Sequence, residues 1–247
     1  MNFNGTFVPS PCKYNFGVNT LHDAIVLAET FTSVVVSTLQ DVIQLLAENG
    51  DSGPTRAVAS VIGQEGEQDG FYRLLLARTP SQKPFLTTNV APFAWSVLQT
   101  FIVPGSCNLS SVNVPIFTPL KVLSGQNGTN VAPMDQQISY SADLTGVKGA
   151  SSFVGGNGTG LFLTLLTGQD LPFSVPLNAT SWSGSVVTFN ASFPYNDLVA
   201  DGLSIAALTT SGNVSLAGLP NSTLAAPGLI QVQPAGVVLE QVFKRDE

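Results

Sequence analysis

Residues 20–48 read TLHDAIVLAETFTSVVVSTLQDVIQLLAE, and this stretch decides the first half of the fold. Its apolar side chains recur at steps of three and four residues, which is the period of an amphipathic helix. Thr20 is a suitable helix cap because an acidic residue, Asp23, follows three positions later. Gly, Asn and Asp residues up to Pro54 then interrupt the pattern. We predict a helix of about thirty residues, roughly 45 Å long. Its repeating apolar positions are Leu21, Ile25, Ala28, Phe31, Val35, Leu39, Val42 and Leu46.

Two further helices are predicted before Cys107. The second begins near Pro54, because proline suits a first helical turn, and continues to Arg78. The third is shorter and runs from Pro92 to Phe101. Two long helices joined by a short loop form an antiparallel hairpin, which hides only one apolar seam. Because residues 34–36 are three consecutive valines, the apolar surface exceeds one stripe, and we expect further helices to cover it.

After Cys107 the sequence consists of short runs rich in Val, Thr, Phe, Leu and Ser, which are separated by Gly, Asn and Pro. This pattern is typical of an antiparallel β-sandwich. We therefore predict an α+β chain with an extended segment at 1–18, a helical domain at 19–106 and an all-β domain at 107–247. The candidate strands are 137–142, 160–166, 173–175, 185–193, 203–209 and 237–243.

The chain carries little charge, and the charge it has is acidic. Only 10% of its 247 residues are charged, and the net charge is −7. An average domain is about one quarter charged. No basic cluster exists to neutralise a phosphate backbone, which argues against nucleic-acid binding. No uninterrupted apolar run reaches the length of a membrane-spanning helix, so we expect no membrane span.

Eight Asn-x-Ser/Thr acceptor sites for N-glycosylation occur, and seven of them follow Cys107. In a chain with so few charges, this density indicates that glycans supply solubility. We therefore predict a secreted or cell-wall protein. The acceptor residues are Asn4, Asn108, Asn127, Asn157, Asn178, Asn190, Asn213 and Asn221.

The two cysteines, Cys12 and Cys107, flank the helical region. A disulfide between them is the natural pairing in an extracellular protein, and two buried thiols are the alternative. Closing a loop of that length stabilises a fold by about 4 kcal/mol through loop-closure entropy. The first residues do not have the pattern of a signal peptide, so we expect the complete protein to have a further amino-terminal region.

Three segments carry a family resemblance. Residues 62–75 read IGQEGEQDGFYRLL, 84–88 read PFLTT and 95–99 read WSVLQ. Together they resemble the fungal late sexual development proteins, which are related to secreted stress-response and desiccation-related proteins with a ferritin-like domain. The resemblance covers residues 12–123 and the β region more loosely. It implies a partial ferritin-like bundle whose first helix pair is missing, so that missing amino-terminal helices or a second chain would cover the hairpin.

The resemblance also raises the question of whether this chain binds metal ions. Ferritin-like proteins hold two metals with Glu residues and Glu-x-x-His pairs, which place both ligands on one helix face. Here Gln68 stands where the imidazole after Glu65 is expected, and Thr32 aligns with an acidic position, although Glu29 lies nearly one turn away. We expect a degenerate site without a cofactor. Iron or manganese bound by Glu65 and Glu29 is the alternative. His22 is expected to be a capping-turn or surface residue.

The sequence gives little support for other kinds of active or binding site. Glu65, Glu67 and Asp69 fit a solvated face or a polar network better than a catalytic group. Trp182 and Tyr195 could stack on a sugar ring, although a sandwich core is the better place for Trp182. Five aspartates of the β region fit turns better than a glycosidase pair. They are Asp135, Asp143, Asp170, Asp197 and Asp201.

Three hypotheses of function follow. The first is a secreted structural or binding glycoprotein of the fungal cell surface, linked to sexual development or stress, whose ferritin-like part is not catalytic. The second is a di-metal oxidase or storage protein completed by the missing helices. The third is a carbohydrate-binding β domain that recognises cell-wall glycans.

Overall fold

The computed structural model describes residues 10–232, which form an α+β architecture with helices first and two antiparallel sheets after them. Two expectations, the acceptor site at Asn4 and the strand at 237–243, lie outside the described residues. The helices are α1 (Leu21–Glu48), α2 (Ser52–Leu75), α3 (Ala91–Gln99), α4 (Tyr195–Leu198) and α5 (Leu219–Ser222).

The predicted first helix is confirmed at both ends. The Oγ1 atom of Thr20 accepts a hydrogen bond of 3.0 Å from the backbone N–H of Asp23, so Thr20 is the cap that the sequence indicates. Helix α2 packs against α1 as an antiparallel hairpin, and Pro54 lies in its first turn. Helix α3 has Pro92 in its first turn, also as predicted.

Helix α2 ends at Leu75, three residues before the predicted end at Arg78. Ala77 adopts a left-handed conformation with φ of 56°. The N–H of Arg78 donates to the carbonyl of Arg73 at 2.8 Å, and the N–H of Ala77 donates to Leu74 at 3.1 Å. This is the Schellman pattern, with alanine where glycine is usual. The turn reverses the chain and directs Arg78 back toward α1.

Within residues 121–232, eight strands form two four-stranded sheets. The first sheet has the order β1-β2-β6-β5 and the second has the order β4-β3-β7-β8, and every pairing within them is antiparallel. The strands are β1 (Lys121–Val122), β2 (Gln136–Asp143), β3 (Phe162–Thr167), β4 (Phe173–Pro176), β5 (Asn178–Ser183), β6 (Val186–Phe193), β7 (Gly202–Thr209) and β8 (Thr223–Val232).

The main hydrophobic core lies between the two sheets. Alternate residues of β2 and β6, such as Ile138 and Phe189, point inward and meet Leu163, Leu208 and Ile230 of the second sheet. All five side chains are fully buried. Outward-facing positions of β2 and β6 are partly exposed, which is the alternation of a sandwich. The predicted β-sandwich is confirmed.

The second sheet is buried on its outer face as well. Leu166 and Ile205 point away from the sandwich core and form a second apolar cluster with Val34 of α1 and Phe93 of α3. Every residue of β7 is consequently buried. The structure therefore has three layers, in which the helices cover one sheet of the sandwich, and a continuous apolar cluster joins the helical and β parts.

Three strands were not predicted. Strand β1 is only two residues long, and β5 is largely polar with a shift of register against β6. Strand β8 contains Pro227 and Gly228, which weaken a β pattern in the sequence. Its position at the edge of the second sheet explains why proline is tolerated there.

The predicted disulfide between Cys12 and Cys107 is confirmed, and their Cα atoms lie 4.8 Å apart. It fixes an extended amino-terminal segment that pairs with the chain after α3. The N–H of Asn15 donates to the carbonyl of Phe101 at 2.8 Å, and the N–H of Val103 donates to Lys13 at 2.9 Å. A disulfide is compatible with an extracellular protein.

Helix α1 is the one helix of the described residues that is long and apolar enough to cross a membrane. Length and composition are weak evidence, because the core helix of a soluble protein passes the same test. In this fold one face of α1 packs on α2 and another packs on the second sheet through Val34.

A matched pair of leucines tests the three-layer arrangement. Leu166 is 1% exposed beneath the helices, whereas Leu171, five residues later, is 86% exposed. We expect Leu166→Ala to lower the free energy of unfolding by about 2–5 kcal/mol, since it leaves a cavity between layers. Leu171→Ala should change it by less than about 0.5 kcal/mol. Urea denaturation followed by circular dichroism measures both, and equal effects would contradict this packing.

Candidate functional site

The most buried stripe of α1 is polar. Glu29, Ser33 and Ser37 recur at steps of four and are at most 4% exposed. The apolar stripe that predicts the helix is less buried, and Leu21 at its start is 78% exposed. Because the polar stripe faces α2 and the segment between α2 and α3, the interior of the hairpin is built from hydrogen bonds and charges.

Glu29 is the centre of this interior and is completely buried. Its Oε1 atom lies 2.9 Å from Nη1 of Arg73, and its Oε2 atom lies 2.9 Å from Nη1 of Arg78. Arg73 is also fully buried, and its Nε atom donates to the carbonyl of Thr79 at 2.8 Å. Arg78 donates through Nη2 to the carbonyl of Thr129 at 3.1 Å. Two cations therefore neutralise one carboxylate and connect α1 to the end of α2 and to the β region.

Asp69 supplies a second buried carboxylate on α2, one turn before Arg73. Ser33 donates to its Oδ1 atom at 3.2 Å, and Gln82 donates to its Oδ2 atom at 2.9 Å. Burial, with a smaller contribution from the negative charge of Glu29, raises the pKa of Asp69 to about 6. Asp69 is therefore ionised only in part near pH 6.

Asp69 opens onto a polar cavity of about 280 Å³ beside the hairpin. Ser33, Ser37, Gln82 and Lys83 line it together with apolar groups. The Oε1 atom of Gln82 accepts a hydrogen bond of 2.9 Å from the backbone N–H of Leu203. One side chain, that of Gln82, thus joins the carboxylate of α2 to the first residues of β7.

Lys83 is only 8% exposed and donates to the hydroxyl of Thr167 on β3. Burial lowers the pKa of Lys83 to about 8, and the charges of Asp170 and Asp201 oppose this effect. No carboxylate of the described residues lies within salt-bridge distance of the Lys83 ammonium. The ammonium is protonated in most molecules at pH 7.

The residues present do not fit an iron or manganese pair. Both oxygen atoms of Glu29 bind guanidinium groups, which would repel a divalent cation. Glu65 and Gln68 are half-buried on α2, and Thr32 is 7% exposed on α1. Among residues 10–232 no group of three or more His, Cys, Asp and Glu side chains could hold a metal ion. The assignment of Glu65 and Glu29 as ligands stays a prediction that elemental analysis tests.

The residues that directly follow Thr32 and Gln68, the two degenerate ligand positions, are hydrogen-bonded to each other. Ser33 follows Thr32, Asp69 follows Gln68, and the hydroxyl of Ser33 donates to the carboxylate of Asp69. Of the three acidic residues expected to form a solvated face or a polar network, Glu67 is exposed and Asp69 belongs to the network. His22 is exposed in the first turn of α1, beside Asp23.

The candidates of the β region are scattered. Trp182 is half-buried against the sandwich core, and its Nε1 atom donates to the carbonyl of Gly156 at 2.7 Å. The hydroxyl of Tyr195 donates to Asp201 at 2.8 Å. Asp143 accepts a hydrogen bond from the backbone N–H of Thr145 in a turn. Asp135 instead accepts a hydrogen bond of 2.8 Å from the backbone N–H of Asn196 in α4. Asp170 and Asp197 line one cleft, which is described below.

Six of the seven acceptor asparagines within the described residues are exposed. They are Asn108, Asn127, Asn157, Asn178, Asn213 and Asn221. Asn190, on β6, is half-buried, and its Oδ1 atom accepts a hydrogen bond of 2.6 Å from Ser139. Attachment of a glycan is therefore sterically open at six positions and hindered at Asn190.

The chain matches no protein-family model and shows no significant similarity to a curated protein. A function is therefore inferred from the structure of the site. The resemblance to late sexual development proteins remains an expectation from the sequence.

Sequence reasoning did not single out Arg73, Arg78 or Gln82 as site residues. A signal for Arg73 was present, because it stands four residues after Asp69 and is surrounded by apolar residues near the end of α2. Arg78 and Gln82 give no such signal, since only the Schellman turn places their segment against the hairpin.

The ion pairs of Glu29 with Arg73 and Arg78 predict that two arginines of α2 contribute very differently to stability. We expect Arg73→Ala to lower the free energy of unfolding by about 3–5 kcal/mol, because Glu29 then remains buried with one cation fewer. Arg56→Ala is the matched control on the exposed first turns of the same helix and should cost less than about 0.5 kcal/mol. Urea unfolding of both variants is the measurement, and a small effect of Arg73→Ala would contradict the cluster.

The raised pKa of Asp69 predicts a dependence of stability on pH. Its carboxyl binds a proton more tightly in the folded than in the unfolded protein, so its contribution to stability falls as pH rises from about 4 to about 6. A shift of that size corresponds to roughly 3 kcal/mol. We expect Asp69→Asn to remove this fall. Urea unfolding between pH 4 and pH 7 tests the difference, and parallel profiles for the two proteins would refute it.

Proposed function

We propose that this chain is a secreted, N-glycosylated structural or binding protein of the fungal cell surface, linked to sexual development or stress. Its helical hairpin serves as a non-catalytic scaffold related to ferritin-like domains. The observation that carries the proposal is the pairing of Glu29 with Arg73 and Arg78. Because both of its oxygen atoms bind guanidinium groups, Glu29 offers no free carboxylate oxygen to a metal ion, which supports a non-catalytic role.

The surface supports the extracellular part of the proposal. Six exposed acceptor asparagines are available to carry glycans on a chain that is only 10% charged. The disulfide between Cys12 and Cys107 is compatible with the same compartment.

The open apolar face of α1 supports a role in assembly. One groove of about 310 Å³ runs between α1 and α3 and is lined by Phe31, Val35, Leu39 and Trp95. A second, of about 280 Å³, lies beside Leu27, where Phe16 of the amino-terminal segment meets α1. Phe31 lines both grooves, and apolar grooves that adjoin in this way support an interaction site along α1. We propose that helices of a longer form of this protein, or of a second chain, cover it.

Elemental analysis of protein produced in a secretory host tests the scaffold function. We expect far less than one transition-metal ion per chain after exposure to iron or manganese, and a fall in mass after treatment with an N-glycosidase. A form extended by amino-terminal helices should also lack metal, because Arg73 and Arg78 remain on Glu29.

The di-metal alternative makes the opposite prediction and has its own control. Two metal ions per chain in the extended form, lost in Glu65→Ala, would overturn the scaffold proposal. Glu48→Ala, at the exposed end of α1, is the matched control and should leave metal content unchanged.

A further inference from the structure

A second cleft, of about 630 Å³, lies where the segment between α2 and α3 meets two loops of the sandwich. The first segment contributes Lys83, Pro84 and Phe85. The turn between β3 and β4 contributes residues 168–170, and the end of α4 with the residue after it contributes residues 197–199. Pockets of about 300–1,000 Å³ are typical for small ligands. The helical and β parts both build this cleft, so neither part holds it alone.

Phe85 presents an aromatic ring to solvent at this cleft and is 70% exposed. The backbone around it is held firmly by the turn after β3. The N–H of Thr88 donates to the carbonyl of Gly168 at 2.8 Å, and the amide of Gln169 donates to the carbonyl of Leu86 at 2.9 Å. An exposed ring on a fixed backbone is a preorganised contact surface, because little conformational entropy is lost when a ligand packs on it.

Two carboxylates in the cleft are free to accept hydrogen bonds. Asp170 and Asp197 are both exposed, and neither side chain bonds to another described residue through its carboxylate. Gln169 lies beside Asp170, and its Nε2 atom also donates to Gln40 of α1 at 2.6 Å, so this side chain is fixed as well. The rim of the cleft is therefore rich in acceptors.

Lys83 contributes a buried ammonium group to the floor of the cleft. Lys83 donates one hydrogen bond, to Thr167, although an ammonium group has three N–H donors. The Nζ atom lies against Gly168, where a Cβ atom would approach it to 3.4 Å. Buried cations normally have a counter-ion or a full set of acceptors. A hydroxyl group of a ligand can supply a further acceptor to this ammonium group.

We propose that this cleft binds a pyranose unit of a polysaccharide, an inference that rests on the proposed role as a binding protein of the cell surface. A sugar ring has an apolar C–H face, which would pack on Phe85. Its hydroxyl groups can donate to Asp170 and Asp197 and accept from Lys83.

The charges of the cleft select this ligand over simple ions. Two carboxylates against one ammonium give a net negative cleft, which disfavours a phosphate or sulfate. Lys83 disfavours a small cation at the floor for the same reason. A neutral ligand that both donates and accepts hydrogen bonds uses all three charged groups.

Isothermal titration calorimetry on the full chain tests this site with three probes: β-1,3-linked glucose oligomers, N-acetylglucosamine oligomers and mannose oligomers. We expect at least one of them to bind. Phe85→Ala should weaken that binding at least tenfold, because the stacking surface is removed. The double variant Asp170→Asn and Asp197→Asn should weaken it by at least fivefold.

Two matched variants control for general effects on the protein. Phe71→Ala removes a ring on α2 that is 57% exposed, and Asp51→Asn changes an exposed carboxylate before the same helix. Both should bind as the unmodified chain does. Absence of binding to all three probes, or equal loss in Phe85→Ala and Phe71→Ala, would overturn the sugar site. Either result leaves the scaffold proposal intact if the same protein is metal-free and glycosylated.

Discussion

The carboxylate of Glu29 has no contact with solvent, and its burial constrains everything that surrounds it. An unpaired buried carboxylate costs several kcal/mol, so its two oxygens need cationic partners held at fixed positions. Arg73 meets this need from within α2, but Arg78 can do so only if α2 stops and the chain turns back. The early end of the helix at Leu75 is thus coupled to the charge on α1.

The same cluster determines how the hairpin joins the sandwich. Arg78 donates to the carbonyl of Thr129, and Gln82 connects Asp69 with the backbone of β7. The apolar cluster around Leu166 and Phe93 stabilises the contact between the layers. The hydrophobic effect that drives this contact is not directional. The hydrogen-bonded charges supply the orientation, because each of these hydrogen bonds requires defined positions of the hairpin and the sheet.

The sequence predicts those parts of the fold that depend on local periodicity. Helix α1 was predicted correctly from its cap to its end, and the long strands β2, β6 and β7 follow from their Val, Phe and Leu patterns. Strand β8 was missed because Pro227 and Gly228 are acceptable only at a sheet edge, a position that tertiary structure assigns. The candidate site was harder still. Glu29 was considered as a metal ligand, but its arginine partners lie 44 and 49 residues away in the chain and share no motif with it.

The segment from Leu76 to Val90 shows how a structural ion network can shape a binding surface. It contains no helix or long strand, so its conformation depends on side-chain anchors. Arg78 and Gln82 attach its first part to the hairpin, while Lys83 and Thr87 attach its second part to β3 and β7. These anchors lie on both sides of Phe85, and its ring, held between them, is 70% exposed. The exposure of Phe85 therefore follows from the same contacts that hold the layers together, and a stable scaffold would present this ring to solvent in every molecule.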